Sequence, residues 1–414
     1  MTLPFYLLIA VMPLVRHQFW SYTSLGGLSM NKWLGLAALA MACVYLSLRQ
    51  RPPRPFLTRQ APLFVLFGAA VIMSFLLRGP EKVSVEVSPV GNWVSFLLLF
   101  FMVVVLVDSR QRFKWTLFVA IGGVAFTSLH LLREWQDYGG MGAGVRPGWV
   151  AGDPNYFAVS ALTCLPLAFL FSEVQLPPWQ RMVMRTCLVI ILAAFILAAS
   201  RGGMLGLLTS LCVVVFRSRR RGQYLAVGGT VLLVLLLVAP TSPLRRMFDP
   251  GRAETTSSLA HETLLWAGLR MFKENAVLGI GVGNFKYVLD NYLESDDPDI
   301  RHVAHNTFLE VGCELGVGGL ALLIAILFYT FRTLRQVRIA TSHGRDPLLH
   351  LAARGLEAGL AGTCVAMLFV SALHSRLFWF LIILTMCLPT IPAARRRQPR
   401  VSPGLPASPE KGGP

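Results

Sequence analysis

Uncharged apolar runs, long enough to cross a hydrocarbon layer about 30 Å thick, recur from one end of this sequence to the other and leave few folds open. Lipid offers a backbone no hydrogen bonds, so a crossing segment must satisfy its own N–H and C=O groups, as helices and closed barrels do. The residue-by-residue alternation of a barrel strand is absent, and the chain therefore reads as all-α and polytopic. With 54% hydrophobic and 14% charged residues, it cannot be mainly the half-solvated surface of a soluble domain.

Counting the apolar blocks predicts about twelve spans. They fall at 3–15, 33–48, 62–77, 92–107, 115–132, 156–172, 183–200, 203–216, 224–240, 305–331, 355–373 and 377–392. The first run lacks a basic leader and a small-residue cleavage site, so it reads as a span and not as a removed signal. The seven cysteines all lie within apolar runs without paired spacing and read as packing residues.

The net charge of +17 could suggest nucleic acid, but the arginines sit in short connections and form no interleaved patch, so no nucleic-acid partner is expected. Alternate connections carry them: Arg49 to Arg59, Arg110 to Lys114, Arg217 to Arg221, Arg332 to Arg345, and the tail from Arg395 to Arg400. Because positive residues in short loops stay cytoplasmic, an even number of spans with both termini inside satisfies all of these at once. Residues 1–400 then form one membrane domain, with extracytoplasmic loops at 133–155 and 241–304, and residues 401–414 form a disordered cytoplasmic tail. In the larger loop Leu264, Leu265, Trp266, Leu269, Met271, Phe272, Val277 and Leu278 recur at helical spacing, which predicts a short amphipathic helix at the interface.

Three features on the outer side stand above background. Ser200-Arg201-Gly202-Gly203 joins two apolar runs with scarcely any loop, on the side where positive loops are disfavoured. An arginine reaching to the headgroups accounts for it, and so does an anion site with glycines that let backbone approach a ligand. The stretch from His305 to Gly319 opens the tenth span; at about 100° per residue Gly312, Gly316 and Gly319 fall within about 40° of His305. That stripe suits close helix packing, while a histidine at the water boundary titrates near neutral pH and suits general base chemistry. Trp266 to Phe285 contains Arg270, Lys273 and a glycine-rich turn that no strand precedes, which argues against a nucleotide motif. Arg146, in the smaller loop before Asp153 and Asn155, is a secondary anion-binding candidate. Asp153 and Asn155 also suit helix capping. No outer-side cluster has metal-ligand spacing, so neither a metal nor another cofactor is expected.

These residues resemble the O-antigen ligase and polymerase family, which transfers glycans from a polyprenyl diphosphate carrier. The family's Arg-x-x-x-Leu is similar to Arg201 and Leu205; its histidine pattern, ending in Gly-x-x-Gly, is similar to His305, Asn306, Gly316 and Gly319. Trp266 to Phe285 and Arg146 to Asn155 look like two further family segments, and the resemblance runs from the sixth span through the tenth. The family commonly has an arginine shortly before that tryptophan, where this chain has His261 to Leu265; Arg270, or else Arg252, would stand in for it.

The resemblance implies an inverting, metal-independent glycosyl transfer from undecaprenyl diphosphate in the bacterial inner membrane. His305 would be the base, Arg201 and Arg270 would hold the diphosphate, and Arg146 would assist. Lipid A–core, a second glycan or a protein would be the acceptor, ligase chemistry being favoured over polymerase chemistry. A lipid-glycan flippase and an envelope scaffold are the rivals from other classes.

Overall fold

The computed structural model describes residues 5–6, 8, 24–25, 28–48, 58–79, 89–139, 147–148, 153–173, 176–218, 221–238, 257–293, 304–342 and 346–391. Most of the expected first span, Arg146, Arg252 and the 401–414 tail lie outside these residues. Apart from one two-residue antiparallel pair, Ser24–Leu25 with Leu28–Ser29, the described regular structure is helical.

The helices are α1 Met30–Ser47, α2 Gln60–Arg78, α3 Pro89–Leu106, α4 Arg110–Asp137, α5 Pro154–Glu173, α6 Pro178–Ala198, α7 Arg201–Phe216 and α8 Arg221–Val238. They continue with α9 Ser257–Glu274, α10 Phe285–Val288, α11 Thr307–Ala340, α12 Pro347–Ala366 and α13 Arg376–Cys387. Six of them (α2 to α6 and α11) are long and apolar enough to cross a membrane, and α7 and α13 are shorter apolar helices.

Local chemistry sets the starts. Proline opens α3, α5, α6 and α12, where its missing N–H costs nothing. Ser109, Ser200, Asn306, Asp346 and Ser375 accept a backbone N–H at the head of α4, α7, α11, α12 and α13.

The twelfth expected span begins as predicted, but the eleventh is displaced from 355–373 to Pro347–Ala366. Asp346 and Pro347 start α12 early, and the mostly apolar residues 367–375 beyond it are a non-helical strap with Leu368 and Phe369 exposed, a case hydropathy does not distinguish. The tenth outruns its expected end at 331 and continues through Arg338 to Ala340.

Lipid tails are as apolar as the side chains they would displace, so close packing, not hydrophobic burial, drives helices together in a bilayer. One aromatic knot of Phe64, Phe67, Trp93, Phe96, Phe100 and Trp379 joins α2, α3 and α13, with ring centroids 4.9 to 6.5 Å apart. A second contact crosses α7 and α12 antiparallel: Gly206 meets the Gly362 carbonyl, and Ser210 Oγ donates to the Ala358 carbonyl at 2.9 Å. α5, whose span is 83% buried, packs against α6, α7 and α12. The antiparallel crossing fixes the layout: the first residue of α7 and the last of α12 share one end of the bundle.

Candidate functional site

Arg201 is placed by a two-residue hinge. α6 ends at Ala199, whose φ of 46° is left-handed, and Ser200 then caps α7 by accepting the Gly203 N–H at 3.1 Å. Gly202 faces Phe369 so closely that a methyl group there would sit 2.8 Å from its Cβ. The first turn of α7 therefore rests on the 367–375 strap, and the Arg201 side chain is exposed.

His305 is placed in the same manner. It too is left-handed, with φ 48°, and Asn306 caps α11 by accepting the Phe308 and Leu309 N–H groups at 3.0 and 3.1 Å. The next residue, Thr307, is fully buried and docks on the same strap. Its N–H donates to the Met367 carbonyl at 2.9 Å, its hydroxyl donates to the Val370 carbonyl at 2.6 Å, and it accepts the Ala372 N–H at 2.9 Å. Arg201 and His305 thus head two helices whose first turns sit on one short stretch, with Phe369 between the Met367 and Val370 contacts.

Two consequences follow. Among the described residues the left-handed non-glycine positions are Ala199 and His305, each just ahead of one of these helices, and such conformations cost about 1–3 kcal/mol and gather at functional sites. Each helix start also carries the positive end of its dipole, so two at one place favour an anion there.

Arg270 lies on α9, which packs along the start of α11: the Cys313 thiol donates to the Gly268 carbonyl at 3.1 Å, and Phe272 faces Gly312. The helix is amphipathic as expected, but its buried stripe is Leu264, Ala267, Gly268 and Met271. Leu265, Trp266 and Leu269 face outward together with Arg270.

The expected glycine stripe on the tenth span is corrected by the structure. His305 and Asn306 precede the helix, and Gly316 breaks it with φ 67° and ψ −170°. The break frees carbonyls that the following segment uses: Ile280 N–H donates to Cys313 O at 2.8 Å, and Gly281 N–H to Glu314 O at 3.1 Å. In return Val317 N–H donates to Ala276 O at 2.7 Å. The glycine-rich turn is a plug in the broken helix, held further by Ser74 Oγ on the Val282 N–H at 3.1 Å. Gly319 packs against its own Leu315 side chain, and small-residue helix packing occurs instead on α12, at Gly355, Gly359 and Gly362. That G-x-x-x-G-x-x-G spacing was visible in the sequence.

Beside Arg146, Gly148 is buried and its N–H donates to Glu134 Oε2 at 3.0 Å, which ties this segment to the end of α4. Asp153 caps α5 by accepting the Asn155 and Tyr156 N–H groups, so its polarity is explained by the helix start.

Two carboxylates within the stretch from His305 to Gly319 lie inside this end of the molecule. Glu310 and Glu314, one helical turn apart, are 6% and 1% exposed. Glu314 Oε1 accepts the Phe285 N–H at 3.3 Å and so clasps the plug, while Oε2 of each glutamate has no hydrogen-bond partner among the described residues. The Ser371 hydroxyl lies beside Glu310, and His374 follows on the same strap, its Nδ1 without a hydrogen-bond partner among the described residues. A Glu-x-x-x-Glu pair inside an apolar run was the available signal, because acids in such helices are costly to bury.

The fold and site together define a multispan membrane protein in which two capped helix heads, one bearing an arginine and the other a histidine, meet on a shared strap. Within it, residues 186–324, about a third of the chain, are similar to the family model described as O-antigen ligase. The match holds Arg201, Arg270, His305, Asn306, Gly316 and Gly319 but begins after the 146–155 segment, so it is narrower than the resemblance anticipated. No curated protein matches the chain.

Proposed function

We propose that this protein transfers a glycan from an undecaprenyl diphosphate carrier to an acceptor hydroxyl. The single observation behind the proposal is the convergence of the Arg201 and His305 helix heads on residues 367–372.

The transfer has two electrical demands: the acceptor oxygen must lose a proton as it attacks, and the departing diphosphate must gain negative charge. His305 takes the hydroxyl proton while the oxygen bonds to the anomeric carbon from the face opposite the carrier. The bond from that carbon to the diphosphate oxygen breaks, and the electron pair leaves with the diphosphate. Arg201 meets that charge with a forked guanidinium, and the N–H groups at the heads of α7 and α11 add their positive field. Arg270, on the outward face of α9 beside Trp266, supplies the second cation, and Arg146 assists. A single displacement inverts the anomeric centre, and no metal enters this scheme.

The site faces away from the cytoplasm in the bacterial inner membrane, with about twelve spans and both termini inside, in line with the distribution of arginines among the short loops. Ligation to lipid A–core is the favoured reaction within the family; joining to a second carrier glycan or to a protein uses the same chemistry.

The test is to incubate purified protein in detergent with a polyprenyl-diphosphate glycan and, separately, each of three acceptors. A product with inverted anomeric configuration, in the absence of any second compartment, is expected with one of them. If no acceptor yields product while the same protein in vesicles moves the carrier glycan across the bilayer, the chain is a transporter and the proposal fails.

A further inference from the structure

At the other end of the same helices lies a cleft of about 720 Å³, within the range of about 300–1,000 Å³ typical of small-molecule sites. It opens between the C-terminal end of α7, the second half of α11 and the middle of α12. At about 1.5 Å per residue, Arg217 stands roughly 24 Å along α7 from Arg201, so this cleft is separate from the transfer site.

Its lining is ordered along the helix axes. Arg217, at the end of α7, and Arg332 and Arg335, toward the end of α11, form the charged lip. Phe328 and Phe331, up to one turn further in along α11, and Val213, one turn further in along α7, form an apolar wall. Phe328 is 59% exposed in this setting, a large ring open to an apolar occupant.

The floor of the cleft is built. Glu357 is 7% exposed and sits between two guanidinia, Arg217 Nη2 at 3.1 Å and Arg338 Nε at 3.0 Å. That carboxylate fixes Arg217 in place without neutralising the group, because Arg332 and Arg335 remain at the lip as exposed charges. Three guanidinia around one opening match a phosphate diester, whose oxygens accept forked hydrogen bonds. The order of charge above apolar wall matches an amphiphile and gives a water-soluble anion no use for the aromatic side. Basic pockets between membrane helices are a recurrent way of holding anionic headgroups.

We infer that the cleft at Arg217, Arg332 and Arg335 binds an anionic glycerophospholipid, its phosphate between the three guanidinia and one acyl chain along Phe328, Phe331 and Val213. Bound there, the lipid bridges α7, α11 and α12, the three helices whose opposite ends carry or support Arg201 and His305.

The experiment uses the full chain in mild detergent, titrated with phosphatidylglycerol, with phosphatidylcholine of the same chains, and with inorganic phosphate, and read by native mass spectrometry and thermal unfolding. Phosphatidylglycerol should bind at least tenfold tighter than phosphatidylcholine and raise the melting temperature, and inorganic phosphate at the same concentration should do neither. Arg332→Gln with Arg335→Gln, both exposed and outside the Glu357 ion pairs, should abolish that preference while the lipid-free protein keeps its elution profile and melting temperature. Equal binding of the two lipids, retention of the preference in the double variant, or equal stabilisation by inorganic phosphate would each overturn the inference. Loss of glycosyl transfer has no bearing on this readout, so its failure is distinguishable from failure of the proposed activity.

Discussion

Gly316→Ala is the substitution that most directly probes how the outer end is built. At φ 67° and ψ −170° the backbone occupies a region that only glycine enters readily, and forcing alanine there costs about 1–3 kcal/mol. Its new methyl carbon would also lie 2.5 Å from Val277 O and 2.7 Å from Ala276 O, so the plug must retreat by several tenths of an ångström. That retreat weakens the Val317-to-Ala276 hydrogen bond, for a further loss of about 1 kcal/mol. The total, roughly 2–4 kcal/mol, corresponds in a chain of 414 residues to a fall in melting temperature of about 2–5 °C. Gly318→Ala is the internal control: it is exposed, it lies in the helix that resumes after the break, and nothing lies within 4 Å of the added methyl. Alanine there should be neutral or stabilising by about 0.5–1 kcal/mol. Thermal unfolding of both variants in one detergent gives the comparison. If Gly316→Ala melts at the same temperature as wild type and Gly318→Ala, the broken helix is not what holds the plug.

Glu314→Ala leaves the Phe285 N–H without its acceptor and exposes the plug to loss of the Gly283 contact, so stability should fall by about 1–3 kcal/mol. Glu314→Gln keeps a carbonyl acceptor in place and should lose less; equal losses in a thermal unfolding comparison would count against the clasp. Desolvation holds the His374 imidazole down at about 4, so it is neutral in the folded protein while an unfolded chain takes up a proton below about 6.5. Stability attached to this residue is therefore complete above pH 6.5 and drains away as pH falls toward 4, by no more than about 3 kcal/mol. His374→Gln should flatten that part of the melting-temperature profile, and an unchanged profile would remove His374 from the explanation.

What the sequence made legible follows from what periodicity records. The apolar blocks at 62–77, 92–107 and 203–216 became α2, α3 and α7 within three residues at each end, because proline, serine and charged residues bound them. Where polar residues continue a helix or apolar residues leave one, the boundary moved. α4 runs on through Arg133 and Glu134 to Asp137, and the 367–375 strap is apolar without being helical. At the site, Arg201, His305 and Arg270 stood out as charges in unusual company, and their helices lie at or against one end of the bundle. The break at Gly316 was hidden because glycines at three- and four-residue intervals look alike whether they admit a neighbouring helix or a chain reversal. Glu310 and Glu314 were hidden because their burial depends on the plug and the strap, which come from residues about 30 and 60 positions away.

The most direct test of the central claim is the initial rate of prenyl diphosphate release from a carrier-linked glycan, with acceptor present, by purified wild-type, Arg201→Ala and His305→Ala proteins of equal abundance and melting temperature. Removing either the base or the leaving-group cation should lower that rate by about 100-fold or more. A wild-type rate in either variant would contradict a shared reaction centre at the two helix heads.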